Sequence, residues 1–389
     1  MDTAKIQGPM NNMNKKKSNI PSRPTITGAG LVVLDIILNN GSKTPMFNAG
    51  GTCGNVLAGL SFLDWQSKSI SRAGKDVAAD IMIKDLLADG VNVDYITREE
   101  KLNTPRIIEQ VKSNGFYARH HFFLRCPTCN TYLPRFRSPT LDFISDIIKN
   151  DSPPDVFFFD RVTPSTLKLA KENKKRGALV FFEPNKLKNL EKLEEAIGLC
   201  HILKFSNHTS KKDVRHLIGD TAILEKTRDY RPYLIIQTLG GHGLFYSHPD
   251  DEKWQHKKAK KLKKVYDTCG SGDWLTVGFL FYLQKQAFKS RIKLTEALQS
   301  TELVKSALDF AQMLASLSGM FVGAMGLSKQ LKKNEVLSII EENMRENPET
   351  ISPIDLNLNS KPLIGHLINK EIPGKPYCPT CLLNISGER

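Results

Sequence analysis

Two short patterns in this 389-residue chain combine residue types and spacings that do chemistry. The first is Asp267-Thr268-Cys269-Gly270-Ser271-Gly272-Asp273. Gly270, Ser271 and Gly272 let the backbone come close to a ligand, and the apolar run Trp274 to Leu283 behind them reads as a helix whose first amides point outward. Such amides suit a developing phosphate anion. A carboxylate at Asp273, one residue past the glycine turn, is positioned to take the proton of a hydroxyl that attacks a γ-phosphate. The alternative is an ordinary capped turn with Asp273 or Ser271 as N-cap, and spacing alone leaves both readings open.

The second pattern occurs twice, as Cys126-Pro127-Thr128-Cys129 and Cys378-Pro379-Thr380-Cys381. Cys-x-x-Cys with an interior proline makes a tight knuckle that aims two sulfurs at one point, and two knuckles supply the four thiolates of a tetrahedral Zn²⁺. Cys126, Cys129, Cys378 and Cys381 are therefore expected to hold one structural zinc that ties the tail to a β flap around 104–137 or pairs two subunits as a homodimer. A redox dithiol in each loop and two unrelated surface knuckles are the competing readings. Cys53, Cys200 and Cys269 have no such spacing and read as small buried residues. His120-His121, beside the first knuckle, is a rival ligand pair, read instead as facing substrate or solvent.

The elements that must position these groups follow a βα rhythm. A strand is expected over Ile26 to Leu38, then a Gly-rich turn (Gly50, Gly51, Gly54), a helix from Val56 to Leu63, a strand at Ser69 to Ser71 and a helix from Val77 to Asp89 ended by Gly90. Arg106 to Val111 and Tyr117 to Leu124 read as a hairpin closed at Ser113-Asn114-Gly115, the core of a small β flap around 104–137. Short apolar runs at Val156 to Phe159, Ala178 to Phe182, Ile202 to Phe205 and Leu234 to Thr238, separated by segments of helical composition, imply a mostly parallel sheet covered on both faces. In such sheets ligands sit beyond the carboxyl ends of the strands, where both glycine-rich motifs fall. Phe310 to Leu327 is apolar but broken by Gln312, Ser316, Ser318, Gly319 and Gly323, which suits a buried helix and turn rather than a membrane span. The organisation expected is an arm over residues 1–24, an α/β domain over 25–335 and a C-terminal helix and tail over 336–389.

Asp267 to Asp273 resembles the signature of the ribokinase-like (PfkB-type) carbohydrate kinases, Asp-Thr-x-Gly-Ala-Gly-Asp, with Ser271 in place of alanine. Other segments follow in that family's order from about Thr25 to Leu327. Gly28 to Ile37 is similar to its first strand, and the resemblance implies that Asp35 binds substrate hydroxyls. Gly50-Gly51-Thr52-Cys53-Gly54-Asn55 resembles its Gly-Gly turn, implying Gly51 and Asn55 as further substrate contacts. Ala73 to Asp76 and Leu86 to Val91 fit its next two segments, and Phe182-Glu183-Pro184-Asn185 resembles its Asp-Pro-Asn with glutamate in the first place. Thr238-Leu239-Gly240-Gly241-His242-Gly243 resembles its nucleotide turn, so Thr238, Gly240 and Gly243 are implied nucleotide contacts, with Asn207 and Gly323. The implied fold is α/β, a mostly parallel sheet between helical layers with a β lid. The implied activity is transfer of the ATP γ-phosphate to a hydroxyl of a sugar, nucleoside or polyol, with Gly270, Ser271 and Gly272 as anion hole and Mg²⁺ as cofactor. One departure touches the metal: the glutamate the family carries three residues after Asn207 is Ser210 here.

Composition narrows the alternatives. The chain is 40% hydrophobic, enough for a large core, and carries 55 Lys and Arg against 41 Asp and Glu, a net charge of +14 that favours anionic ligands such as nucleotides. The basic runs are scattered and not interleaved with aromatics, so nucleic acid is the last-ranked partner and a zinc-bearing nucleic-acid protein the third reading. Residues 1–23 are polar, without an apolar signal segment, and the chain is expected in the cytoplasm. The second reading, drawn from Ser210, is a catalytically weakened family member that senses ligand or regulates a partner.

Overall fold

The computed structural model describes residues 23–39, 45–113, 118–184, 190–206, 232–249, 254–346 and 350–351. The central sheet contains β1 (Thr25–Ala29), β4 (Gln66–Gly74), β5 (Asn92–Glu99), β8 (Val156–Phe159), β9 (Leu179–Phe182), β10 (Ile202–Ser206), β11 (Leu234–Thr238), β12 (Leu244–Ser247) and β13 (Gln255–Lys257). Their spatial order is β13-β12-β11-β10-β9-β8-β1-β4-β5, parallel from β11 to β5, with antiparallel β12 and β13 at one edge. The expected mostly parallel sheet is therefore present.

Why this sheet takes helices on both faces is visible in β8 and β9. Both are continuous apolar runs, Val-Phe-Phe-Phe and Leu-Val-Phe-Phe, and successive side chains of a strand point to opposite faces. Phe158 and Phe181 pack into a core with helices Thr52–Phe62, Ser271–Ser290 and Thr301–Ser318, while Phe157, Phe159 and Phe182 pack into a second core with helices Leu141–Asn150, Pro164–Lys175 and Leu190–Leu199. Burying a phenylalanine contributes about 1.5–3 kcal/mol, so the two aromatic layers hold the sheet between its helices. Thr163, whose side chain accepts from the Thr166 amide, and Pro164 at the first position start helix Pro164–Lys175 with the residues such an end favours. Phe310 to Leu327 forms the end of helix Thr301–Ser318, a turn and the start of helix Gly326–Gln330. Among the described residues no helix is long and apolar enough to cross a membrane.

A second sheet forms the lid. It contains β2 (Val33–Asn39), β3 (Met46–Gly50), β6 (Arg106–Ser113) and β7 (Ala118–Phe123) in the order β3-β2-β6-β7. This corrects two expectations. The flap is larger than 104–137, because half of its strands come from 33–50. The segment Ile26 to Leu38 is two strands, since the chain leaves the central sheet at Gly30 and enters the lid at Val33. The break has a local cause: the buried Asp160 carboxylate accepts the Leu31 amide at 2.8 Å, and a Cβ at Gly30 would collide with that carboxylate. Asp35 accordingly lies in the middle of a lid strand rather than at an end of the central sheet. The lid's outer face (Leu34, Ile36, Ile108) packs with Ala78 and Ile81 of helix Val77–Ala88.

Candidate functional site

Alternation along the lid strands decides what faces the central domain. Leu34, Ile36 and Ile108 point to the lid's own core, so Asp35 and Glu109 share the opposite face; the register pairs Asp35 with Ile107 and Ile37 with Glu109. Phe122 stands opposite Glu109, and His120 opposite Val111, on that same face. Asp35 is buried and accepts the Gly51 amide, and burial lifts its carboxyl to about 7. Gly50 has to be glycine here, because any Cβ would sit on the Asp35 carboxylate. Gly51 (φ 84°) then makes the turn into helix Thr52–Phe62, in a conformation an L side chain resists.

That helix carries Asn55, which is buried and whose Nδ2 donates to Asp273 Oδ2 at 2.6 Å. Asp273 is the third residue of helix Ser271–Ser290, whose N-cap is Gly270 in the left-handed region (φ 74°). The turn is thus capped by Gly270, and neither Asp273 nor Ser271 serves as N-cap. A Cβ at Gly270 would meet Ala324 at 2.6 Å. The Ser271 amide bonds back to the Thr268 carbonyl at 3.3 Å, while the amides of Gly272 and Asp273 have no carbonyl one turn earlier in the helix. Asp267 sets this loop: its Oδ1 accepts the Cys269 amide at 2.9 Å and its Oδ2 the Gly323 amide at 2.8 Å. Cys269 is half-buried, unlike the fully buried Cys53 and Cys200, and its thiol lies within electrostatic reach of Glu109, Asp267, Asp35 and Asp273, which together with burial push it upward. The lid carboxylates and the glycine loop therefore converge on one place.

Two groups that the sequence motifs do not single out, Lys204 and Asp160, complete the site together with Glu183. Lys204, in the middle of β10, is fully buried; its Nζ pairs with Glu183 Oε1 at 2.8 Å and donates to the Gly272 carbonyl. Glu183 also accepts from Thr276 Oγ1 at 3.1 Å, and burial pushes its carboxyl up while Lys204 opposes the rise. Asp160, at the carboxyl end of β8, is buried, and Arg161 approaches it at 3.3 Å. Around Asp273 these charges oppose one another. Burial raises its carboxyl to about 7, Glu183 and Asp160 add to the rise, and Lys204 and Asn55 pull it down. The visible signal for Lys204 is a lysine inside Ile-Leu-Lys-Phe, and for Glu109 a glutamate inside Ile-Ile-Glu-Gln-Val.

The other expected residues fall into separate groups. Thr238 ends β11 and its hydroxyl reaches the Phe205 carbonyl at 3.5 Å. Gly240 (φ 59°) opens an exposed turn of 3₁₀ helix, and Gly243 (φ 94°) closes it against the backbone of Lys257 to Ala259. Gly323 is not seated with this turn but beside Asp267 and the lid residues Ile37 and Asn48. Asn207 and Ser210 lie outside the described residues, as do Cys378 and Cys381. Cys126 and Cys129 form a compact loop, with the Asn130 amide donating to the Cys126 carbonyl at 2.9 Å, and they are not joined as a disulfide.

No family model matches the chain. A fructokinase of Escherichia coli is 22% identical over 289 residues, covering 71% of this chain and 87% of that protein. Among solved structures, the fructokinase of Xylella fastidiosa with bound ATP is 17% identical and covers 82% of this chain and 99% of that one, with a TM-score of 0.63. The fructokinase of Vibrio cholerae O395 in its fructose-, ADP- and calcium-bound form is 20% identical and covers 81% and 98%, with a TM-score of 0.59. At these identities the likeness speaks for architecture, and the chain has the ribokinase-like α/β fold, a mostly parallel sheet between helical layers with a β-sheet lid.

Proposed function

We propose that the chain is an ATP-dependent phosphotransferase that moves the γ-phosphate to a hydroxyl of a sugar, nucleoside or related polyol, with Asp273 as the base. The observation that carries this reading is the Asn55–Asp273 contact of 2.6 Å at the foot of a helix whose first amides open beside the lid carboxylates. A carboxyl held near 7 is half ionised at neutral pH, which matches a general base to its task. Gly270, Ser271 and Gly272 present backbone dipoles to the transferring phosphoryl group, where fixed donors in a dry site act strongly. Asp35, Gly51 and Asn55 hold acceptor hydroxyls. Thr238, Gly240, Gly243 and Asn207 serve the nucleotide, and Gly323 borders the loop between the two.

Lys204 acts through the loop: its bond to the Gly272 carbonyl fixes the first turn of the helix, and its charge keeps Asp273 from rising further. Mg²⁺ brought in with ATP would neutralise phosphate charge. Near Asp273 the acidic candidate for its water shell is Glu183, already engaged by Lys204 and Thr276, so this carboxylate fits a structural ion pair better than a metal site. The Cys126, Cys129, Cys378 and Cys381 thiolates form, on this reading, a separate structural zinc.

The test is ADP formation by the purified chain with ATP and a panel of hexoses, pentoses, nucleosides and polyols, repeated with Asp273→Asn. Acceptor-dependent turnover that falls about 10²–10⁴-fold in the variant is expected. Nucleotide binding with no turnover on any acceptor would instead assign the chain a sensing role.

A further inference from the structure

Where the lid meets the glycine loop, Glu109, His120 and Asp267 each offer a ligand atom, and these atoms lie within 4.8 Å of one another. We propose that these three side chains bind a divalent transition-metal ion of the zinc class, which clamps the lid to the anion-hole loop. The donor set is an imidazole and two carboxylates, nitrogen and oxygen ligands of types that zinc accepts, and three of them leave one position open. Glu109 and His120 come from neighbouring lid strands and face the same side, and Asp267 opens the glycine loop, so one ion would bridge the two parts of the protein.

The independent observation is at Glu109. It is only 1% exposed, and its Oε1 is buried without a hydrogen-bond partner among the described residues. A buried, unpartnered carboxylate oxygen is costly, and a cation at this point relieves the cost. Asp35 and Asp267 also lie near Glu109, and the Cys269 thiol reaches its carboxyl, so lid and loop bring three carboxylates to one place. Asp267 already accepts the amides of Cys269 and Gly323, one on each oxygen, and each oxygen keeps a second lone pair. His120 Nδ1 approaches Thr268 Oγ1 at 3.4 Å, and the ring is exposed, so it can turn toward the two anchored carboxylates. Tetrahedral ligation with bonds of about 2.1 Å needs ligand atoms about 3.4 Å apart, so the exposed imidazole would turn inward and the two carboxylates would draw together around the ion. Three protein ligands leave the remaining position for water or for a hydroxyl of the acceptor.

The experiment uses the full chain in a Cys378→Ser background, which removes one knuckle and with it the other proposed zinc. The protein is saturated with Zn²⁺ or Co²⁺ and dialysed, and the bound metal is counted. One equivalent is expected, lost in Glu109→Gln and in His120→Ala, with the bound ion raising the unfolding temperature of the parent but not of the variants. His120 is exposed, so its removal leaves the core intact, and circular dichroism of the metal-free variants verifies the fold. Absence of stoichiometric metal, or metal content unchanged in both variants, overturns the proposal. Because the readout is metal content, failure here is distinct from failure of the kinase reading.

Discussion

Lys204 is the most informative residue to change. At 2.8 Å from Glu183, and with an effective dielectric constant of about 20, the attraction is about 6 kcal/mol. Burying each ion costs several kcal/mol, so the intact pair contributes little net stability, while losing one partner strands the other charge at about 3–5 kcal/mol. Lys204→Met should therefore lower the unfolding free energy by about that much. It also removes the charge that holds Asp273 down, so the acidic limb of the kcat profile should move above its expected position near pH 7. Adding Glu183→Gln removes the opposing charge as well. The double variant should regain most of the stability, because both members of the pair are gone, and its limb should return toward 7. Denaturant unfolding and kcat measured across pH 5.5 to 9 check both effects. A limb that stays in place in Lys204→Met, or that moves equally in the single and double variants, refutes the opposing-charge account of Asp273.

In the unsubstituted protein, activity should rise through pH about 7, as Asp273 becomes ionised and able to accept a proton. The sign for stability is the reverse. A carboxyl raised on folding contributes stability that is complete below its unfolded value of 3.8 and lost as the pH climbs through its folded value, and for Asp35 that is about 7. Asp35→Asn should thus stabilise the ligand-free protein more at pH 8 than at pH 5, by about 3 kcal/mol, as read by urea unfolding at the two pH values. Gly50→Ala drives a methyl group into the Asp35 carboxylate, so KM for the acceptor should rise while nucleotide affinity, measured by calorimetry, stays near that of the parent.

The central sheet was legible because its strands carry their own signal. Val156 to Phe159 and Leu234 to Thr238 are apolar runs between polar segments, and both form strands with the expected bounds. The glycine loop was legible because it needs glycine for steric reasons, as Gly270 beside Ala324 shows. The place where the chain passes from sheet to lid was not. Gly28 to Ile37 reads as one apolar strand, and what breaks it is Asp160, about 130 residues away, catching the Leu31 amide. Lys204 and Glu109 were obscure for a related reason. A charged residue in an apolar strand can lie at a fraying edge or in a buried cluster, and only the tertiary fold decides, by bringing Glu183 at the end of the neighbouring strand to Lys204 and Asp267 of the glycine loop to Glu109.

Gly50 ends a lid strand, Gly51 turns the chain, and Asn55 lies in the first turn of the helix that follows, bonded to Asp273. Such short wiring makes the shape of the lid and the aim of Asp273 a single mechanical variable. Asp35 accepts the Gly51 amide and Asn55 holds Asp273, so a displacement of the lid at Asp35 is passed along the backbone to Asp273. Six consecutive residues, Gly50 to Asn55, therefore couple the lid to the glycine loop through backbone connectivity alone.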